Sequence, residues 1–388
     1  LRRYACWFTG TVAGVLTAIA VVNWAVDPLH VYRLPWSQSL AAYKPRAIDR
    51  ISKAETARSV PLDAVLLGDS RVLRGFDPRH PALTAHGRSY NLGVSAGSIY
   101  EATRMLELCL DRHPPRVVVW SLPPELVETD RRQRTSFDYE LSRLNPRLNL
   151  VLHHAHNLWG RDVLWASRKV VKNWWNRATT GVVDGFEPDR QIPDDPYALF
   201  RLWLPTASEP TLAAMRPAEA VQQTLDRIDS VLGRAQSCGT QVVLLFPPVH
   251  AAYLEGLAQL NQWDAYERGK QRIVELVERH NASAAERPAI MVWDFSAFHG
   301  LTAEPPPSEG RNQPMQWFLD PLHFRETLGE MVLNRVFQFG VQADDFGVAL
   351  TTSNLARHLA EQARDRARYR SESRDVVRLA SEQARVIR

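Results

Sequence analysis

Four short runs of uninterrupted apolar residues constrain this 388-residue chain more than any other feature. They are "LDAVLLGDS" at 62–70, "RVVVWSL" at 116–122, "QVVLLFPP" at 241–248 and "AIMVWDFS" at 289–296, with a fifth strand-and-turn, "SYNLGVSAGS", at 89–98. A strand with one wet face alternates apolar and polar residues, because successive side chains point to opposite sides. These runs do not alternate, so each strand is expected to be covered on both faces. Helical stretches lie between them, at about Ile99–Asp111, 218–239, Tyr253–Arg279 and Arg325–Phe339. Gly239 suits the left-handed residue that closes a helix. The alternation predicts an α/β domain of three layers, α/β/α, around a parallel sheet. Ligands of such sheets bind beyond the carboxyl ends of the strands, so chemistry is expected just after each run.

The N-terminus carries a second strong signal. Tyr4 to Val26 contains no charged residue. At about 1.5 Å per residue it can cross a hydrocarbon core of about 30 Å, which predicts one transmembrane helix over residues 1–26. Arg2 and Arg3 precede it and Asp27 follows, so the positive-inside rule leaves the remainder of the chain outside the cytoplasm. Trp7, Trp24 and Tyr32 lie near the ends, as interfacial aromatics do. A cleaved signal peptide is the competing reading, since Ala18-Ile-Ala20 resembles a cleavage site, but the apolar stretch outruns a typical signal core.

Residues 27–60 read as a polar, proline-broken juxtamembrane connector, 61–340 as the α/β domain, and 341–388 as a charged helical tail with a mostly solvated face. Within the domain, 123–215 interrupts the alternation and reads as a mainly helical insertion, too long for an ordinary loop. It contains "HHAH" (His153, His154, His156), whose spacing fits no common metal site, and the Trp174–Trp175 pair, suited to packing, sugar stacking or a membrane surface. No metal or other cofactor is expected. Cys6, Cys109 and Cys238 form no disulfide framework, although Cys109 and Cys238 could pair in an oxidising compartment. The net charge of +4 sits entirely in the stretch from Arg357 onward, where nine arginines face five acidic residues, so a nucleic-acid partner is not expected.

Ser70 ends the first apolar run, where an open α/β sheet would present a nucleophile. A serine hydroxyl needs a base within hydrogen-bond reach and a group that orients the base. An aspartate three residues before a histidine can supply both, and the chain offers three such pairs: Asp27–His30, Asp77–His80 and Asp320–His323. The first follows the apolar helix and reads as a membrane-exit turn. The second lies in the segment leaving Ser70 and reads as a turn or helix cap. The third precedes the last helix, at the carboxyl edge expected for Ser70.

"GDS" after the first strand, "NLGVSAG" after the second and "DPLH" before the last helix together resemble blocks I, II and V of the SGNH/GDSL hydrolase superfamily, over roughly 60–340. The resemblance implies an SGNH-like fold, with Ser70 as nucleophile, His323 as base, Asp320 as its orienter, and the Gly93 and Ser70 amides as oxyanion donors. Two departures stand out. The Gly-x-Asn of block III is replaced by "WSLPPE" at 120–125, and Arg71 stands where leucine is usual. With the anchor, the pattern is similar to membrane-anchored bacterial envelope O-acyltransferase proteins, the alginate O-acetyltransferase group among them. The reaction this likeness implies is acyl transfer to a cell-envelope polymer, such as an exopolysaccharide, from the periplasmic face of the inner membrane and beside a multi-spanning membrane O-acyltransferase. An esterase or deacetylase acting on an ester substrate, and a non-catalytic subunit of a membrane complex, are the alternatives.

Overall fold

The computed structural model describes residues 1–44, 49–123, 137–188, 194–206, 218–283, 286–341 and 345–386. The chain divides into two compact units, Leu1–Val60 with Arg132–Val183, and Pro61–Arg131 with Asp184–Arg388. The block expected as one insertion therefore contributes to both.

The second unit is built on a six-stranded sheet of order β2-β1-β3-β4-β5-β6. Its strands are β1 (Ala64–Leu67), β2 (Ser89–Asn91), β3 (Val117–Ser121), β4 (Gln241–Phe246), β5 (Met291–Asp294) and β6 (Val348–Ala349). The first five pair in parallel, with Leu66 opposite Val119 and Trp120 opposite Leu244. β6 pairs antiparallel to β5, a strand that its two residues gave no pattern to predict. Every residue of β1 and β3 is buried, as the absence of alternation required. Ala64, Leu66, Val117, Val119, Val243 and Leu245 line one face and pack on Phe76, Phe318, Phe324, Leu328 and Val332. That face therefore holds the helices Ser70–Gly75 and Glu326–Phe337 against the sheet.

The helix expected over Tyr253–Arg279 is two helices, Ala251–Gln259 and Trp263–Ser283. Asn261 breaks it with φ 59°, a left-handed conformation that asparagine tolerates better than most residues. The apolar periodicity runs through the break and conceals it.

The tail is helical, Thr352–Glu372 and Arg374–Ala384, but its solvated character is only partial. Leu355, His358, Gln362 and Tyr369 are buried along one side. His358 Nε2 and Gln362 Nε2 reach Asp294 Oδ2 at the end of β5, at 2.8 and 3.1 Å. Lys270 Nζ donates to the same oxygen at 2.5 Å, and Ser296 donates to Oδ1 through both its amide and its hydroxyl. Burial alone would raise the Asp294 pKa; the Lys270 cation and the His358 bond outweigh it and hold the carboxyl well below the usual range. A charge without solvent is stable only when paired and fully hydrogen-bonded, which this node achieves.

In the first unit, the apolar helix Arg2–Val26 is long and apolar enough to span a membrane. It ends at Asp27 in the left-handed conformation, and Leu29, Ile51, Leu141 and Val163 form a small core beyond it.

Replacing Lys270 by methionine strands the buried Asp294 carboxylate and should cost about 3–5 kcal/mol in urea unfolding. Adding Asp294→Asn to that variant should cost less than the two single effects combined, because the pair acts as a unit.

Candidate active site

Ser70 is presented by a turn that only glycine fits. Gly68 has φ 150°, and a Cβ there would stand 2.6 Å from Val72 Cγ2 and 3.2 Å from the Ser121 carbonyl oxygen. Asp69, extended, caps the following helix by accepting the Arg71 amide at 2.9 Å. Ser70 is then the first helical residue, half-buried, and its Oγ lies 2.8 Å from His323 Nε2. His323 Nδ1 is 2.7 Å from Asp320 Oδ2, and both residues are buried. An ionised carboxylate only accepts, so Nδ1 carries the proton and Nε2 is left to accept from the serine hydroxyl. Ser70, His323 and Asp320 thus form one continuous relay.

The loop that carries the relay is held from several sides. Asp320 Oδ1 accepts the amides of Leu322 and His323 at 2.8 and 3.0 Å. Phe318 and Phe324 form an antiparallel bridge across the loop, and the Leu319 amide donates to the His323 carbonyl at 2.8 Å. The Glu304 carboxylate accepts the amides of Gln316, Trp317 and Phe318, at 2.7, 2.8 and 3.0 Å. His250 donates from its own amide to the Pro321 carbonyl and from Nε2 to the Glu304 carbonyl. Glu304 and His250 bear on the site from more than ten residues away in sequence, and no local pattern marks either.

Trp203 is another group that no sequence pattern marks. Its indole meets the His323 ring perpendicularly, at 5.1 Å, while 41% of the residue remains exposed. The helix Pro196–Leu202 sets it there. Phe200, three residues earlier on the same side, is buried against His250, which in turn packs on Phe318. Arg71 has a role too: its guanidinium grips Asp69 with Nε 3.1 Å from both carboxylate oxygens. Burial pushes the Asp69 carboxyl up, but Arg71 and, more weakly, His323 hold it below the ordinary range.

One expected residue is placed differently. The Gly93 amide donates to Asn91 Oδ1 at 2.9 Å, which directs it away from an oxyanion role. Asn91 in turn donates to the carbonyls of Val72 and Phe76, both at 2.8 Å, clamping the Ser70 helix to β2. Gly93 is needed for this closeness, since a Cβ would stand 2.8 Å from the Leu73 nitrogen. The loop continues against the serine turn: the Val94 amide donates to the Gly68 carbonyl at 3.1 Å, and Ala96 is left-handed at φ 47°. The amide of Ser70 makes no hydrogen bond among the described residues. The segment in place of block III lies outside the described residues from position 124 onward.

The other two Asp-Pro-Xaa-His sequences do different work. Asp27 accepts the amides of Val31, Tyr32 and Arg33, while His30 turns to Lys44 Nζ at 3.2 Å. Burial first, then Lys44 and Arg33, push the His30 imidazole down to about 3. Asp77 binds Arg79, and His80 caps the helix Pro81–Thr84 through the Ala82 amide while its Nε2 meets Asn334. The "HHAH" histidines also diverge: His153 bonds the Leu141 carbonyl, His154 stacks on Tyr32, and His156 meets Asp162. Among the described residues no cluster of ligands suited to a metal is present. Cys109 is buried, which raises its thiol to about 12, and all three cysteines are free.

Burial lowers the His250 imidazole to about 4 in spite of its bond to the Glu304 carbonyl. Above pH 6.5 it is neutral folded or unfolded. Between about 6.5 and about 4 only the unfolded chain takes the proton, so stability falls as pH falls, by about 3 kcal/mol in all. Urea midpoints across this window should show that loss in the wild type and a shallower one in His250→Gln. Comparison of the chain with protein-family models and with curated proteins finds no match in either.

Proposed function

We propose that this protein is a membrane-anchored serine acyltransferase acting on a cell-envelope polymer through an acyl-enzyme on Ser70. The observation that carries the proposal is the unbroken line of hydrogen bonds from Ser70 Oγ through the His323 imidazole to Asp320. In this reading Ser70 Oγ attacks the carbonyl carbon of an acyl donor as His323 Nε2 takes its proton. Asp320 stabilises the imidazolium that forms. The Ser70 amide, at the N-terminus of its helix, receives the oxyanion, and the loop after β2 lies against the turn beside it. The leaving group departs with the proton from His323. An acceptor hydroxyl then gives its proton to His323 as its oxygen bonds the acyl carbon, and the bond to Ser70 breaks as His323 returns that proton to Ser70 Oγ.

The resemblance to the SGNH/GDSL superfamily supports this chemistry, and the apolar helix Arg2–Val26 behind two arginines supports an anchor with the sheet domain outside the cytoplasm. A bacterial inner membrane, a periplasmic domain and a multi-spanning O-acyltransferase that passes on the acyl group complete the proposal. Hydrolysis is the second reading, favoured by a Ser70 that water can reach. The open indole of Trp203 beside the base favours transfer, because it offers a sugar ring an apolar face next to the atom that must accept the hydroxyl proton.

A fluorophosphonate probe should label the wild type at Ser70. Ser70→Ala should abolish labelling, and His323→Ala should slow it about 10²–10⁴-fold. An unlabelled, folded wild type would rule out both enzymatic readings. If label forms, acyl-enzyme loaded from p-nitrophenyl acetate should pass its acetyl group to an oligosaccharide faster than to water; the reverse selects the esterase.

A further inference from the structure

The first unit holds an apolar surface that the site does not use. The helices Leu150–Trp159 and Arg161–Trp175 form a corner at Gly160, closed by His156 Nε2 on Asp162, and both pack along the apolar helix Arg2–Val26. The packing is polar and specific. Asn23, fully buried, donates to the Leu158 carbonyl at 2.9 Å and accepts from the Ser167 hydroxyl at 2.8 Å. Trp159 Nε1 donates to the Leu16 carbonyl at 3.1 Å. The pair of helices is thus docked on the stretch from Leu16 to Asn23.

That docking has a consequence for depth. From Tyr4, after the charged Arg3, to Leu16 the helix rises about 20 Å, short of the ~30 Å of a hydrocarbon core. If the helix crosses a bilayer, the hydrocarbon must therefore continue to about Asn23, and the two docked helices lie at that level. Their outward residues fit this. Val151 is 77%, Trp165 56% and Trp175 78% exposed, and Leu152, Trp159 and Trp174 are open beside them. Water is a poor neighbour for such a patch. Along Arg161–Trp175, Arg161, Arg168, Lys169 and Lys172 stand against the single acid Asp162, and Lys169 Nζ lies 5.0 Å from the Trp165 ring centre. Tryptophan beside lysine and arginine on an amphipathic helix suits the boundary between acyl chains and anionic headgroups.

We infer that the helices Leu150–Trp159 and Arg161–Trp175 are a second membrane contact, an interfacial foot lying in the outer leaflet against the anchor, with anionic lipid as its partner. The inference rests on the anchor reading above and is tested together with it. The full chain, carrying Cys6→Ser and Cys238→Ser, takes a nitroxide at Val12→Cys, Val151→Cys, Trp165→Cys or Arg364→Cys and is reconstituted into phosphatidylcholine–phosphatidylglycerol vesicles. Oxygen collides with labels in lipid, and a water-soluble nickel chelate with labels in water. Val151 and Trp165 are exposed, so labelling either should leave the fold intact. Both should show an oxygen-to-nickel accessibility about tenfold above that of Arg364, as for a helix sunk ~5–10 Å into the interface. Nickel-accessible labels at Val151 and Trp165, with an oxygen-rich Val12, overturn the foot and leave the anchor standing. A nickel-accessible Val12 overturns both. Shielding of Val151 and Trp165 from both reagents marks a protein partner there and also overturns the proposal.

Discussion

A parallel sheet sends every strand out along one edge, and the candidate site depends on that geometry. β1 delivers Ser70, and the loop after β2 lies against the turn that presents it. The chain leaving β5 passes through Glu304 and returns as the Asp320–His323 loop. Residues 253 positions apart meet at 2.8 Å because the sheet fixes where each segment begins, so each loop has only a short gap to cover. The loops add their own rigidity with backbone hydrogen bonds, which helps a relay of three side chains keep its alignment.

Four of the strands were legible in the sequence because a strand covered on both faces writes an unbroken apolar run, and the fifth parallel strand was legible from the strand-and-turn pattern at 89–98. The serine and its two partners were legible because the turn chemistry and the order along the chain left one Asp–His pair at the right edge. Glu304, His250 and Trp203 were not. Each acts through a contact with residues distant in sequence, and none sits in a pattern that a window of residues could detect. Gly93 shows the opposite failure. A glycine at the right place in a motif suggested a donor, while in space its missing side chain is what lets the Ser70 helix approach β2.

The three Asp-Pro-Xaa-His sequences make the same point from the side of chemistry. In each, the aspartate accepts nearby amides, so the turn is common to all three. What differs is where the imidazole goes: to a lysine, to a helix cap and an asparagine, or back to its own aspartate. The first two rings are held by neighbours that compete with the carboxylate. The third is enclosed by Trp203 and faces a serine, and there the local turn becomes part of a relay.

The carboxylate of Asp294 belongs to β5, yet His358, one of the groups that satisfy it, comes 64 residues later in the chain. Synthesis runs from the N-terminus, so a growing chain holds the whole parallel sheet before it holds the helix that closes this corner. Until then the notch beside β5 contains a lysine and an aspartate open to water. A product stopped short of that helix would carry a nearly complete sheet with a charged, unsealed edge, a form that quality-control proteases can distinguish from the finished protein.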